Sequence, residues 1–346
     1  MRGAFAAAVI DWQRRAGRHD LPWQRPRTPY RVWVSEVMLQ QTRAETVIPY
    51  FARFTARWPD VPALAAAGRE EVLAAWSGLG YYRRAIHLHE AARRIVERHG
   101  GALPRDLEAL AALPGIGRST AGAILALAWG EPAPILDGNV RRLLARWHAV
   151  EGWPGRAAVA CRLWALAEGH LPRRDVAAYT QGLMDLGATV CTPRRPACAA
   201  CPVAFGCEAR RRGDPCAYPA PAPRRRRPRR RTRMLVLRRG DGRVLLARRP
   251  PAGVWPGLWS LPECAPGDDP EAWCRVHLGF AARTEAVLPT VRHAFTHFEL
   301  EIEPLLLTVE GAAAVGEGQV CWVGGEETQG LALPAPVRAI LGRIGA

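Results

Sequence analysis

The chain has 346 residues, 49% of them hydrophobic, enough for two domains with separate cores, yet no apolar run is long enough to span a bilayer. Its net charge of +16 is carried by arginine alone, because the sequence contains no lysine, so chemistry that needs a side-chain amine is excluded. The balance points either to a polyanionic partner, phosphate backbones being the commonest, or to compositional drift toward arginine.

The N-terminal "GAFAAAVI" is short, lacks a cleavage context and runs into Asp11 and Trp12. It predicts the first turns of an amphipathic helix and a cytoplasmic protein without a signal peptide. To about residue 217, Leu, Ala, Val and Trp recur at three- and four-residue spacing, broken by Pro and Gly. "TPYRVWVSEVMLQQT" is one such helix, with Thr28 as N-cap and Pro29 at the first position. On it, Glu36 lies one turn from Val32 and Leu39. Either it is partly buried, which would raise its pKa toward that of a general acid, or it edges a solvated face. In "LPGIGRSTA", Gly115 and Gly117 bracket a tight turn before a helix starting near Ser119. Glycine permits positive φ and close backbone approach there, for a phosphate at the helix start or for an ordinary helix–helix turn.

Four of the nine cysteines, Cys191, Cys198, Cys201 and Cys207, are spaced C-x6-C-x2-C-x5-C. With no secretion signal, four such thiolates call for a metal rather than disulfides. Zinc sites usually present two C-x-x-C pairs, so the spacing alone favours an iron–sulfur cluster and leaves zinc open. "YPAPAPRRRRPRRRTR", 218–233, reads as a linker; its eight arginines at 224–233 are expected to strengthen binding to any duplex. Beyond it the period becomes two. "MLVLRRGDGRVLLARR" predicts a hairpin turning at Asp241-Gly242, and "HFELEIEPLLLTV" alternates Phe298, Leu300 and Ile302 with glutamates. Extended backward, that parity sets Phe295 and His297 on the charged face, where an exposed Phe beside a His hints at a stacking site.

"LPGIGRSTA" resembles the helix-hairpin-helix of the endonuclease III superfamily, and the cysteine spacing is similar to that superfamily's [4Fe–4S] loop. With "LPWQ", "VSEVMLQQT", "VIPYF", "GLGYY", "ILDGNV" and "MDLGA", residues 5–217 resemble the adenine DNA glycosylases, and the resemblance resumes after the linker. It implies a multidomain protein: an all-α helix-hairpin-helix glycosylase domain at 1–217, a linker at 218–233 and an α+β Nudix-like lesion-recognition domain at 234–346. One [4Fe–4S] cluster on the 191–207 loop is implied with it.

The implied roles are specific. Glu36 would protonate the purine, Asp137 would stabilise the cation at the sugar, and Asn139 would help position the site. Gln41 and Tyr81 would fill and wedge the duplex where adenine has been flipped out. Gln40, Arg18 and Gln181 would line the pocket, while Gly115, Gly117 and Ser119 grip DNA. Ser119 takes the place of the lysine that bifunctional relatives use to break the strand, so a monofunctional enzyme is expected.

"VLLARRPPAGVWPGLWSLPE" resembles the opening of a Nudix domain, but the glutamate-rich magnesium helix does not follow. A binding module is left, and Phe295, Thr296 and His297 match the stretch that senses oxidised guanine, with threonine in place of serine. The expected partner is double-stranded DNA carrying adenine opposite 8-oxoguanine or guanine, bound by a nucleoid-associated monomer with no membrane contact; no protein partner is implied. An endonuclease III-type glycosylase for oxidised pyrimidines and a non-catalytic iron–sulfur DNA-binding protein are the alternatives. A chain ending near Pro223 is expected still to release adenine.

Overall fold

The computed structural model describes residues 2–223, 226–309 and 319–345. The chain is helical first: α1 (Arg2–Ala16), α2 (Pro29–Leu39), α3 (Ala44–Arg57), α4 (Val61–Ala66), α5 (Arg69–Ala75), α6 (Arg83–His99), α7 (Leu107–Ala111) and α8 (Arg118–Ile124). There follow α9 (Gly138–Trp147), α10 (Ala157–His170), α11 (Val176–Asp185) and α12 (Glu208–Arg211). After it come β1 (Arg229–Arg238), β2 (Val244–Arg248), β3 (Trp259–Ser260), β4 (Glu263–Cys264), α13 (Pro270–Leu278), β5 (Ala282–Val287), β6 (Val291–Ala294), β7 (Glu299–Val309), β8 (Val320–Val323), α14 (Gly325–Gln329) and α15 (Ala335–Arg343). Among the described residues no helix is long and apolar enough to cross a membrane.

By contacts the protein divides into two compact units, one drawn from residues 1–67 and 87–224, the other from Gly68–Ile86 and 225–346. The first is wholly helical. Phe5 and Val9 of α1 bury against Val140, Leu144 and Trp147 of α9 and Leu183 of α11. Gly187 lets the segment after α11 close on the start of α9: a Cβ there would stand 2.4 Å from Asn139 Cβ, too close to exist.

In the second unit an eight-stranded sheet runs β3-β2-β1-β7-β5, with β4 on β1, β6 on β7 and β8 on β2. The β1–β2 hairpin turns at 241–242 as its sequence indicates. Leu235, Leu237, Leu245, Leu305 and Leu307 form the core with Cys264, Cys274 and Phe280. β1 and β7 run parallel, in a register that pairs Arg229, Arg231 and Arg233 with Glu299, Glu301 and Glu303. Each pair closes an ion pair, at 3.5, 3.1 and 2.6 Å. The linker reading is corrected here: residues 229–233 belong to a strand, because these glutamates neutralise every second arginine. Arg224 and Arg225 lie outside the described residues.

Candidate active site and cysteine loop

A cleft of about 650 Å³ opens in the first unit between α2, α8, α9 and α11. Glu36, Gln40, Gln41, Ser119, Asp137, Asn139, Arg18 and Gln181 all line it. Glu36 reaches it from α2, whose start is fixed by Pro29 and by the Thr28 hydroxyl accepting from Arg31 N–H at 3.2 Å. Its side chain keeps part of its surface open to the cleft, yet protein surrounds it closely enough that burial pushes its carboxyl up to about 8, with Asp137 repelling its charge as well.

Asp137 enters as the N-cap of α9, accepting the Val140 N–H at 2.8 Å. Burial raises its pKa too, but backbone N–H groups of Val140 and Asn139 and the charges of Arg142 and Arg141 pull the other way. Among the described residues nothing comparable stabilises an ionised Glu36, so of the two carboxyls Asp137 is the one whose surroundings favour an anion.

The hairpin turn joins α7 to α8. Gly115 sits at φ +77, a left-handed conformation, and a Cβ there would meet His87 Cβ at 2.9 Å. Gly117 differs from its sequence reading: it caps α8 in an extended conformation (φ −91, ψ 170), with open space where a Cβ would stand. Neither glycine lines the cleft, but Gln40 Nε2 ties cleft to turn by donating to the Gly115 carbonyl at 3.2 Å. Gln41 follows in a left-handed conformation, φ 59. Ser119 Oγ accepts from the Leu136 N–H at 3.0 Å, which holds the segment leading to Asp137. Its hydroxyl is therefore engaged inside the protein.

Three polar residues outside the sequence reading organise the site. Asp185, fully buried, accepts from Arg18 Nε at 2.7 Å, from the Arg18 N–H at 3.0 Å and from Gln181 Nε2 at 3.0 Å. Arg142 donates to Asn139 Oδ1 at 2.9 Å, to the Gly187 carbonyl at 2.5 Å and to the Cys191 carbonyl at 2.7 Å. One turn on, the buried Arg146 reaches Cys191 Sγ at 3.3 Å and the carbonyls of Thr192, Pro193 and Tyr218 at 2.7, 2.8 and 2.9 Å. The signal for Asp185 was its i,i+4 spacing from Gln181. Arg142 and Arg146 look like the solvated face of an arginine-rich helix.

Cys191, Cys198, Cys201 and Cys207 line one pocket beside α9. Burial pushes the Cys201 thiol up to about 11, and the three other sulfurs lie close enough to disfavour its charge further. Four thiolates gathered this way are stable only around a cation. A donor set of four cysteine sulfurs on one loop suits an iron–sulfur cluster.

Two further predicted sites lie in the second unit. Tyr81 is 51% exposed and left-handed, φ 50, on a loop with Gly78 and Gly80 also at positive φ. Phe295, Thr296 and His297 form the turn between β6 and β7, closed by the Phe295 N–H on the Phe298 carbonyl at 2.9 Å. Strand parity does not reach these residues, because pairing ends at Ala294. Phe295 is half-buried, stacked on Phe298 at 4.5 Å and flanked by His293 and Trp255, and only Thr296 and His297 stand exposed at the tip. In α13, where a Nudix hydrolase would carry its carboxylates, Glu271 instead accepts the Thr284 N–H at 2.9 Å.

Comparison with known proteins adds the following. Residues 34–168 match the HhH-GPD superfamily of base excision DNA repair proteins, 191–207 the iron–sulfur binding domain of endonuclease III, and 233–343 the NUDIX domain. The chain is 32% identical over 339 residues to the adenine DNA glycosylase of Buchnera aphidicola subsp. Schizaphis graminum (strain Sg), covering 97% of each. It is 35% identical to the Homo sapiens adenine DNA glycosylase, over 90% of this chain and 68% of that one. A thermostable thymine-DNA glycosylase superposes on 61% of the chain and 97% of its own, at a TM-score of 0.56 and 29% identity. An endonuclease III bound non-covalently to DNA shares the fold at a TM-score of 0.52 and 19% identity, over 62% of this chain and 98% of that one.

Proposed function

The chain belongs to the adenine DNA glycosylase family, and we propose that its substrate is adenine paired with 8-oxoguanine or guanine, removed without strand cleavage by a protein acting as a monomer. It is a DNA-binding base excision repair enzyme that hydrolyses an N-glycosidic bond and carries a [4Fe–4S] cluster. The observation that supports the mechanism is the meeting, in one cleft, of two carboxyls with unlike surroundings: Glu36 pushed up to about 8 by burial and by Asp137, and Asp137 with backbone N–H groups and arginines opposing the same rise.

Glu36 gives its proton to a nitrogen of the flipped adenine's five-membered ring, so the electron pair of the breaking bond leaves on a neutral base. The sugar carbon becomes cationic beside ionised Asp137, whose charge α9 favours at its N-terminus. Water then adds to that carbon, and its proton returns to the vacant Glu36 carboxylate. Asn139, held by Arg142, lines the cleft beside Asp137 and orients the sugar. With no lysine in the sequence, no ε-amino group can trap the sugar as an imine. Cys191, Cys198, Cys201 and Cys207 would hold the cluster, which would supply cross-links to a loop too short to bury a core of its own.

The 8-oxoguanine preference is assigned to Phe295, Thr296 and His297. Single-turnover base release from duplexes carrying A opposite 8-oxoguanine, A opposite guanine, A opposite thymine, and oxidised pyrimidines tests the reading. Release should be fastest opposite 8-oxoguanine and negligible opposite thymine. Preferential release of an oxidised pyrimidine would move the enzyme to the endonuclease III reading, and tight binding without any release would make it a non-catalytic binder.

A further inference from the structure

Resting on the reading of Tyr81 as the duplex wedge and of 295–297 as the lesion reader, we infer that α15 couples the two, with Tyr82 and Arg338 as positioning residues.

The loop that presents Tyr81 is held from within and from one side. Trp76 Nε1 and Arg84 Nη2 both donate to the Gly80 carbonyl at 3.1 Å. The Arg84 guanidinium lies over both the Trp76 and Tyr81 rings, at 5.3 and 5.4 Å. A non-glycine residue at φ 50 stays there only when its surroundings hold it. The next residue, Tyr82, supplies that hold: its hydroxyl accepts the Gly78 N–H at 3.2 Å and donates to the Leu333 carbonyl at 3.1 Å. Five residues on, Arg338 of α15 donates to Ser77 Oγ at 3.0 Å. Both links run to a segment more than 250 residues away in sequence.

The same helix meets the other site. α15 packs on β6, the strand that ends where Phe295, Thr296 and His297 begin. Arg343, its last residue, donates to the Pro289 carbonyl at 2.8 Å, just ahead of β6. Ahead of the helix, the Ala332 carbonyl accepts the Trp259 N–H at 3.0 Å, which ties its approach to the sheet. A nine-residue helix is stiff over its length, so a displacement of the β6–β7 turn moves Leu333 and Arg338 and, through them, the Tyr81 loop. Reading the opposite base and wedging the duplex are then one event.

The test uses the full-length protein in single-turnover adenine release opposite 8-oxoguanine and opposite guanine. It adds the fluorescence of 2-aminopurine placed beside the opposite base, facing a non-cleavable adenine analogue. Tyr82→Phe and Arg338→Ala should each shrink the 8-oxoguanine-to-guanine rate ratio about three- to tenfold, the scale of one lost hydrogen bond. Both should also diminish the fluorescence gain. Arg338 is exposed and keeps the test valid should Tyr82→Phe fold poorly. Combined with Thr296→Ala, either variant should add little to the loss that Thr296→Ala causes alone. Losses that multiply independently would overturn the coupling while leaving the wedge in place. If Tyr81→Ala itself leaves the fluorescence gain intact, the wedge reading falls first, and the inference with it.

Discussion

Two carboxylic groups face one cleft, and the donors around them favour an anion at Asp137 over one at Glu36. Among the described residues no group donates to Glu36, and burial pushes its carboxyl up to about 8. Base release is therefore expected to fall as pH rises through about 8, in single-turnover assays that bypass product release. Glu36→Gln should retain duplex binding and lose at least about a hundredfold in release. The same shift bears on stability with the opposite sense to a salt-bridged carboxylate. The unfolded chain ionises this group near 4.5 and the folded chain resists, so its destabilising contribution is absent below that pH, grows through the interval and is complete above about 8. Glu36→Gln should melt with the wild type near pH 4 and above it at pH 9, as calorimetry would register. At Asp137, charge and capping separate. Asp137→Asn keeps an N-cap and should lose only release, whereas Asp137→Ala should also cost about 1 kcal/mol of stability. Equal melting of the two variants would dismiss the capping role. Glu36 was legible because a carboxylate beside an apolar stripe stands out in a helical pattern. Ser119 was legible in position but not in bonding, since its partner Leu136 is fixed only by the folded loop.

At the scale of elements, α9 joins the cleft to the cysteine loop. It carries Asp137 and Asn139 at its start and, through Arg142, Arg146 and Trp147, clamps the cysteine loop along its length. Arg146→Met would strip the carbonyls of Thr192, Pro193 and Tyr218 and the Cys191 sulfur of this donor at once. Anaerobically purified variant should contain fewer than the roughly four irons per chain expected of the brown wild type; full iron content would reduce Arg146 to a packing residue. β1 and β7 make a second case. Because Arg229, Arg231 and Arg233 are paired across strands, they are expected to set register rather than bind DNA. Replacing Arg226 and Arg227 should flatten the salt dependence of duplex binding, and replacing the three paired arginines should instead lower the melting temperature. The reverse assignment in a salt titration would restore the whole run to DNA. A linear chain of arginines does not disclose which of them will meet a glutamate 70 residues later, so this part of the fold was not readable in advance. The cysteine spacing was, because its ligands all fall within one short loop.

On the scale of the whole molecule, the second unit is discontinuous. It takes in Gly68–Ile86, so the Tyr81 loop is grouped with the sheet and not with the helices that flank it in sequence. No local pattern could announce this, since Tyr82, Ser77 and Glu70 find Leu333, Arg338 and Arg248 across most of the chain. A chain ended at Pro223 removes those partners. It is expected to retain base release opposite guanine while the amides of 68–86 exchange with solvent faster than in the full-length protein. Unchanged protection in that segment would show that the flanking helices suffice to hold it.

This discontinuity also orders events on the ribosome. The stretch around Tyr82 is made early, and Leu333 follows about 250 residues later, a delay on the order of tens of seconds at about 5–20 residues per second. For that interval the nascent helical half exists with Gly68–Ile86 lacking the partners just named. A messenger that terminates before residue 295 would thus release a polypeptide holding both cleft carboxylates without the β6–β7 turn proposed to read the opposite base. If the β6–β7 turn reads the opposite base as proposed, such a fragment would remove adenine whatever its partner.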